Sequence, residues 1–276
     1  MGVKAILKRI IWLAAQVPVL LPTVIALYEF KPDERGWRRK HPYDRANGVR
    51  TSGALPGFVI KPGDPMDAPT TVYGASQPSI IRTALAAIPD AQHCHFLDLG
   101  CDKGRPLFIA TEFGFHAITG VELSPTLARI ARRNANVFSR THPDRTRIDI
   151  VTGDARVHKL PTGKLTVFLY NPFDRPIIEQ VLKNIEASLH TTHRDLYIVY
   201  YNPAWADVLD ASTTLERRYA AQIPYAPNEI GYGPDESDAV VIWQNRGNPN
   251  PRPPGIATAA VTIVSPGQRA EIAAKT

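Results

Sequence analysis

The chain has 276 residues, enough to bury a full core as one large domain or two small ones. Two cysteines are too few for a disulfide-stapled scaffold, which fits a reducing cytoplasm. The net charge of +6 lies wholly in residues 1–50, where ten Lys and Arg accompany four acids. Residues 51–276 balance at 22 bases and 22 acids, so no broad basic surface for nucleic acid is expected.

Lys4, Lys8 and Arg9 precede an uncharged run from Ile10 to Tyr28. Its length of about 19 residues approaches what a bilayer-crossing helix needs. Pro18 and Pro22 would kink a helix there. Residues 1–30 therefore read as a hydrophobic helix that either anchors the chain in or on a membrane, or packs on the domain. If the run spans, the heavier basic flank from Lys31 to Lys40 keeps the main domain cytoplasmic. Residues 31–70 form a basic, turn-rich arm that reads as an ordered loop, with turn pairs at Asn47-Gly48 and Ser52-Gly53.

The main domain is expected over residues 71–245. A helix starts near Pro78, with Ser76 as its expected cap, and repeats apolar residues at Ile80, Ile81, Ala84, Leu85 and Ile88. Strands follow at 96–99, 116–122, 147–152, 165–170 and 196–201. Helices over 106–113, 125–138, 175–189 and 204–209 alternate with them, and two closing strands lie at 216–222 and 239–244. Such alternation predicts an α/β fold: a Rossmann-like, mostly parallel seven-stranded sheet with helices on both faces and an antiparallel closing strand. His93 and His95 flank Cys94, but a strand sends them to the opposite face, so no metal site is expected. Residues 246–276, opening on a proline-rich run, read as a disordered tail in which only 257–264 could dock as a strand.

In open α/β sheets ligands bind beyond the carboxyl ends of the strands. The first strand ends at Asp98, the turn Gly100–Gly104 follows, and Glu122 ends the second strand. Glycines allow the tight turn and close approach of a ligand, and an acid in the place of Glu122 can bind ribose hydroxyls. A dinucleotide fingerprint is absent, since Asp102 and Arg105 stand where its second and third glycines belong. No P-loop is present either. The pattern suits a ligand without phosphates.

The segment resembles the class I S-adenosylmethionine-dependent methyltransferases, most closely bacterial ones with a DLGxGKGR turn and a GVELSP second strand. Here these read DLGCDKGR and GVELSP. Tyr43–Gly53 and Asn171–Phe173 match further elements of that pattern, and Dot1-type lysine methyltransferases are similar more distantly. The resemblance implies S-adenosyl-L-methionine as cofactor, with Asp98, Gly100 and Gly104 shaping its methionine end. It further implies that Glu122 binds the ribose, Leu123 packs on adenine, Asp154 and Ala155 meet the adenine edge, and Tyr73 covers the cofactor. Asp102 replaces the middle glycine of the turn and joins the candidate cofactor-binding residues, because a sulfonium cation tolerates an acid.

Methyl transfer needs an oriented nucleophile rather than a metal or a covalent intermediate. Asn171-Pro172-Phe173 ends the fourth strand beside the first. The Asn oxygen and the following carbonyl can accept two hydrogen bonds from an amine, and Phe173 can stack on a cationic acceptor. A simple strand-ending turn is the alternative, and Asn202-Pro203 ends the next strand the same way. The expected activity is N-methylation of an amine, with protein lysine among the candidate acceptors. Small-molecule or lipid methylation, or non-catalytic cofactor binding, is the alternative. The acceptor itself is not legible, with protein or a small molecule favoured over nucleic acid.

Overall fold

The computed structural model describes residues 3–17, 19–28, 40–53, 55, 75–171, 173–233, 235–250, 260–265 and 268–272. Seven strands form one sheet: β1 (His95–Leu99), β2 (Ala117–Glu122), β3 (Ile148–Thr152), β4 (Leu165–Tyr170), β5 (Leu196–Tyr201), β6 (Leu215–Pro224) and β7 (Ser237–Asn245). Their order is β3-β2-β1-β4-β5-β7-β6, and every neighbouring pair is parallel except the two that involve β7. The expected sheet, including its antiparallel closing strand, is therefore present. Strand order reverses at β1, which pairs Asp98 with Gly120 of β2 on one side and Phe168 of β4 on the other. This is the switch point at which such sheets bind ligands.

The central strands are buried on both faces, which is why β4 and β5 read as apolar runs broken only by Thr166. One face is covered by α4 (Pro78–Ala86), α5 (Arg105–Ala110) and α6 (Pro125–Thr141). The other is covered by α7 (Arg175–Thr191) and α8 (Ala206–Asp210). Ser124 caps α6 by accepting from the Leu127 amide at 3.4 Å, and Pro125 takes the first turn. Asp98 follows Phe96 on the α4–α5 face, since alternate strand residues share a face.

Four expectations need correction. Residues 10–28 do not form one helix: α1 (Val3–Gln16) and α2 (Leu21–Tyr28) are separated by turns at Val17 and Leu20. Pro22 falls in the first turn of α2, where a missing N–H costs nothing. No described helix is long and apolar enough to cross a membrane. The arm is not all loop, for α3 (Pro42–Asn47) forms there, with His41 Nδ1 accepting from the Tyr43 amide and Gly48 ending it at φ 68°. Gln77, not Ser76, precedes α4, and the carboxylate that caps it comes from Glu229, which accepts from the Ser79 amide at 3.0 Å. Finally, the C-terminal segment contains a hairpin of β8 (Val261–Ser265) and β9 (Gln268–Ile272). Val261 and Ile263 bury their side chains against the α7 side of the core, which holds this short apolar stretch in place.

Candidate functional site

Residues 100–104 turn back over the end of β2. The amides of Gly100 and Cys101 both donate to the Val121 carbonyl, at 2.9 and 3.1 Å. Gly120 makes this approach possible: a Cβ there would lie 2.6 Å from Cys101 Sγ and Leu107 Cδ1. Gly100, Asp102 and Gly104 take φ of 86°, 49° and 92°. Asp is among the few residues with a side chain that tolerate this left-handed region. The Asp102 amide donates to Glu122 Oε2 at 3.0 Å, which ties the turn to the end of β2.

Three carboxyl groups meet at this cleft. Glu122 is 6% exposed and also accepts from the Ser124 amide at 2.7 Å. Asp98 is 2% exposed, and its Oδ2 is a buried atom without a hydrogen-bond partner among the described residues. Burial, and then the Glu122 charge, push the Asp98 carboxyl well above the usual range. Burial and its two acidic neighbours do the same to Asp102. Burial also raises Glu122, against the lowering effect of its amide donors. The cleft beside them is walled by Ser76, Gly100, Arg105 and Tyr170. Arg105 stands in the same wall, so the cleft sets buried acids beside a buried base.

Sequence reasoning missed what holds this turn. Arg105 is 2% exposed and grips the arm and the approach to α4: Nε donates to Thr51 Oγ1 at 2.7 Å, and its two terminal nitrogens reach the Ser76 carbonyl at 2.7 Å and Ser52 Oγ at 3.1 Å. Asp44 lies 3.6 Å from the same guanidinium and accepts from the amides of Thr51 and Ser52. Lys103 is fully buried and donates to the Ser52 carbonyl at 2.6 Å. From α6, Asn134 binds both the Arg50 backbone and the Lys103 carbonyl. The K-G-R of the turn and the T-S of the arm are thus two halves of one buried network. The available signal was the coincidence of buried-type motifs rich in charge, which a single sequence does not pair.

The remaining candidates divide. Leu123 follows Glu122 and is 52% exposed, placed as an apolar platform beside the carboxylate. The Asp154 carboxylate instead chelates its neighbour Arg156, with contacts of 2.6–3.0 Å. Ala155 packs its side chain into the core. Asn171 ends β4 at φ 37° and is half-buried, and Phe173 packs partly on the core while its carbonyl accepts from Trp205 Nε1 at 3.2 Å. Asn202 takes the same backbone shape at φ 46° but spends its amide inside the sheet, on Asp238 Oδ1 and the Ala239 amide. Tyr73 and Pro172 lie outside the described residues.

No family model matches the chain, and no curated protein matches it. Many solved structures are similar. One is a TehB-like SAM-dependent methyltransferase from Corynebacterium glutamicum, with 16% identity over 63% of this chain and 90% of that one, at a TM-score of 0.42. The methyltransferase domain of bacterial CtHen1-C shares 14% over 60% of this chain and 96% of its own, also at 0.42. The SpnF cyclase shares 16% over 60% and 80%, at 0.45. At such identities and TM-scores these likenesses decide nothing about activity, and a cyclase stands among them.

Proposed function

We propose that this chain is an S-adenosylmethionine-dependent methyltransferase that methylates an amine nitrogen. The carrying observation is the Asp98 Oδ2, without a partner among the described residues and buried at the switch point among carboxyls whose ionisation burial opposes. A buried carboxylate of this kind calls for a cationic partner. Glu122, which already accepts from the amides of Asp102, Leu123 and Ser124, can accept further from ribose hydroxyls, with Leu123 beside it to cover an adenine face. S-adenosylmethionine, when bound, supplies an electrophilic methyl group on a sulfonium. The chain's own part is to orient and to exclude water. Asn171, just past the strand next to Asp98, is the candidate residue to hold an amine by its hydrogens.

A second reading, a non-catalytic binder of the same ligand, draws support from Asp102 in the middle-glycine position. Calorimetry with S-adenosylmethionine, followed by labelled-methyl transfer to fractionated lysate, tests both. Binding with label entering protein or amine fractions supports the proposal. Binding without transfer to any fraction supports the second reading, and no binding at millimolar ligand refutes both.

A further inference from the structure

The largest concentration of exposed apolar side chains lies far from this cleft in sequence. Of eleven large hydrophobic residues exposed among the described residues, seven fall between Ile6 and Leu20. Ile6, Ile10, Leu13 and Val17 are 43%, 57%, 54% and 42% exposed. Their spacing of four, three and four places them in one stripe along α1 and just past its end. The opposite side of α1 is already used: Ala15 is buried with Val24 and Ile25 of α2, Leu55, and Leu127 of α6. The helix is thus pinned to the domain by one face and presents a second apolar face outward.

We propose that this face docks on an anionic lipid bilayer, with α1 lying in the plane of the surface. Charge selects the occupant. Residues 1–28 hold no acid, and of their three basic residues Arg9 borders the stripe while Lys4 and Lys8, each two residues from Ile6, fall on the opposite side of the helix. Arg9 falls three residues after Ile6 and four before Leu13, at the border of the stripe, and is exposed. Anionic headgroups complement such a face, whereas a second copy would bring only positive charge to the contact. Length selects the mode. α1 has 14 residues and α2 eight, against the roughly 20 needed to span. Val19 and Leu20, in the turn after α1, extend the apolar edge. The inference is independent of the methyl-transfer reading.

The test is flotation of the full chain with vesicles of phosphatidylcholine alone or mixed with phosphatidylglycerol. Binding is expected on the mixed vesicles and is weakened by salt. The I10E/L13E double variant should bind at least about tenfold less, because two charges would enter the headgroup–acyl boundary. Since both residues are exposed, its thermal melt should match the parent's. R9E, which leaves the stripe intact, should lose the preference for anionic vesicles. Absence of binding to either vesicle overturns the proposal. So does equal binding to both, or a concentration-dependent dimer in equilibrium sedimentation that I10E/L13E abolishes.

Discussion

Asp98→Asn separates a residue kept for binding from one kept for folding. Asp98 sits between β2 and β4 with its Oδ2 unpartnered among the described residues and 2% of its surface exposed. A buried polar group without a partner costs about 1–3 kcal/mol, and more when charged. Both burial and the Glu122 charge disfavour the ionised form here. Asn has the same shape and carries no charge, so it removes the electrostatic part of that cost while leaving the packing intact. The ligand-free variant should gain about 1 kcal/mol, which raises Tm by about 2–4 °C in a domain of this size. A charge-assisted contact to a bound cation would be lost at the same time, worth about 1.5–3 kcal/mol, or roughly 10–150-fold in Kd. Differential scanning calorimetry reads the first effect and titration calorimetry with S-adenosylmethionine the second. A variant that melts several degrees lower yet binds like the parent would make Asp98 a structural residue and remove the main support for the proposed function.

Arg105→Lys keeps the charge but loses the fork that reaches Thr51, Ser52 and Ser76, so unfolding in urea should come about 2–3 kcal/mol earlier; an unchanged midpoint would show the network to be dispensable. His41 is held neutral, its pKa lowered to about 4 mainly by burial and then by Arg105. Because the unfolded chain takes up that proton nearer 6.5, stability should fall as pH drops from 6.5 towards 4, and His41→Gln should flatten this part of a pH–Tm profile. The raised carboxyls act in the opposite sense: the folded ligand-free state holds protons that the unfolded state has lost, so their contribution declines as pH rises above 3.8–4.5. A cation drawn to the ionised groups should then release protons on binding, visible as a buffer-dependent enthalpy in calorimetry. Asn171→Ala should lower kcat by tenfold or more (about 1.4 kcal/mol). Asn202→Ala should instead lower Tm, because its amide bonds lie inside the sheet.

The sheet was legible because its information is local. β5 is an unbroken apolar run and β4 is broken only by Thr166, Ser124-Pro125 marks a helix start, and Gly100, Gly104 and Glu122 mark a switch-point turn in the chain itself. The network under the turn was not legible, since Arg105 meets partners 29–54 positions away and nothing in a lone sequence says which arginine is buried. The same holds for Glu229, which caps α4 from 150 residues downstream. Gly120 left a readable trace, for an isolated glycine inside a strand often marks a close backbone approach. The split of residues 10–28 turned on whether Pro22 kinks a helix or starts one, and both are sterically allowed.

Asp102 carries the sharpest tension between pattern and structure. In the left-handed region it occupies, glycine is the low-energy residue, and its replacement usually signals a lost turn. Here the turn persists, because the Asp102 amide still reaches Glu122 and Gly104 still opens α5. The replacement therefore alters charge and leaves the backbone path alone. It adds a third carboxyl to a cleft that already opposes the ionisation of two. A pyrophosphate would deepen that repulsion, while a sulfonium or ammonium would relieve it. The residue that breaks the glycine pattern thus narrows the class of ligand instead of removing the site.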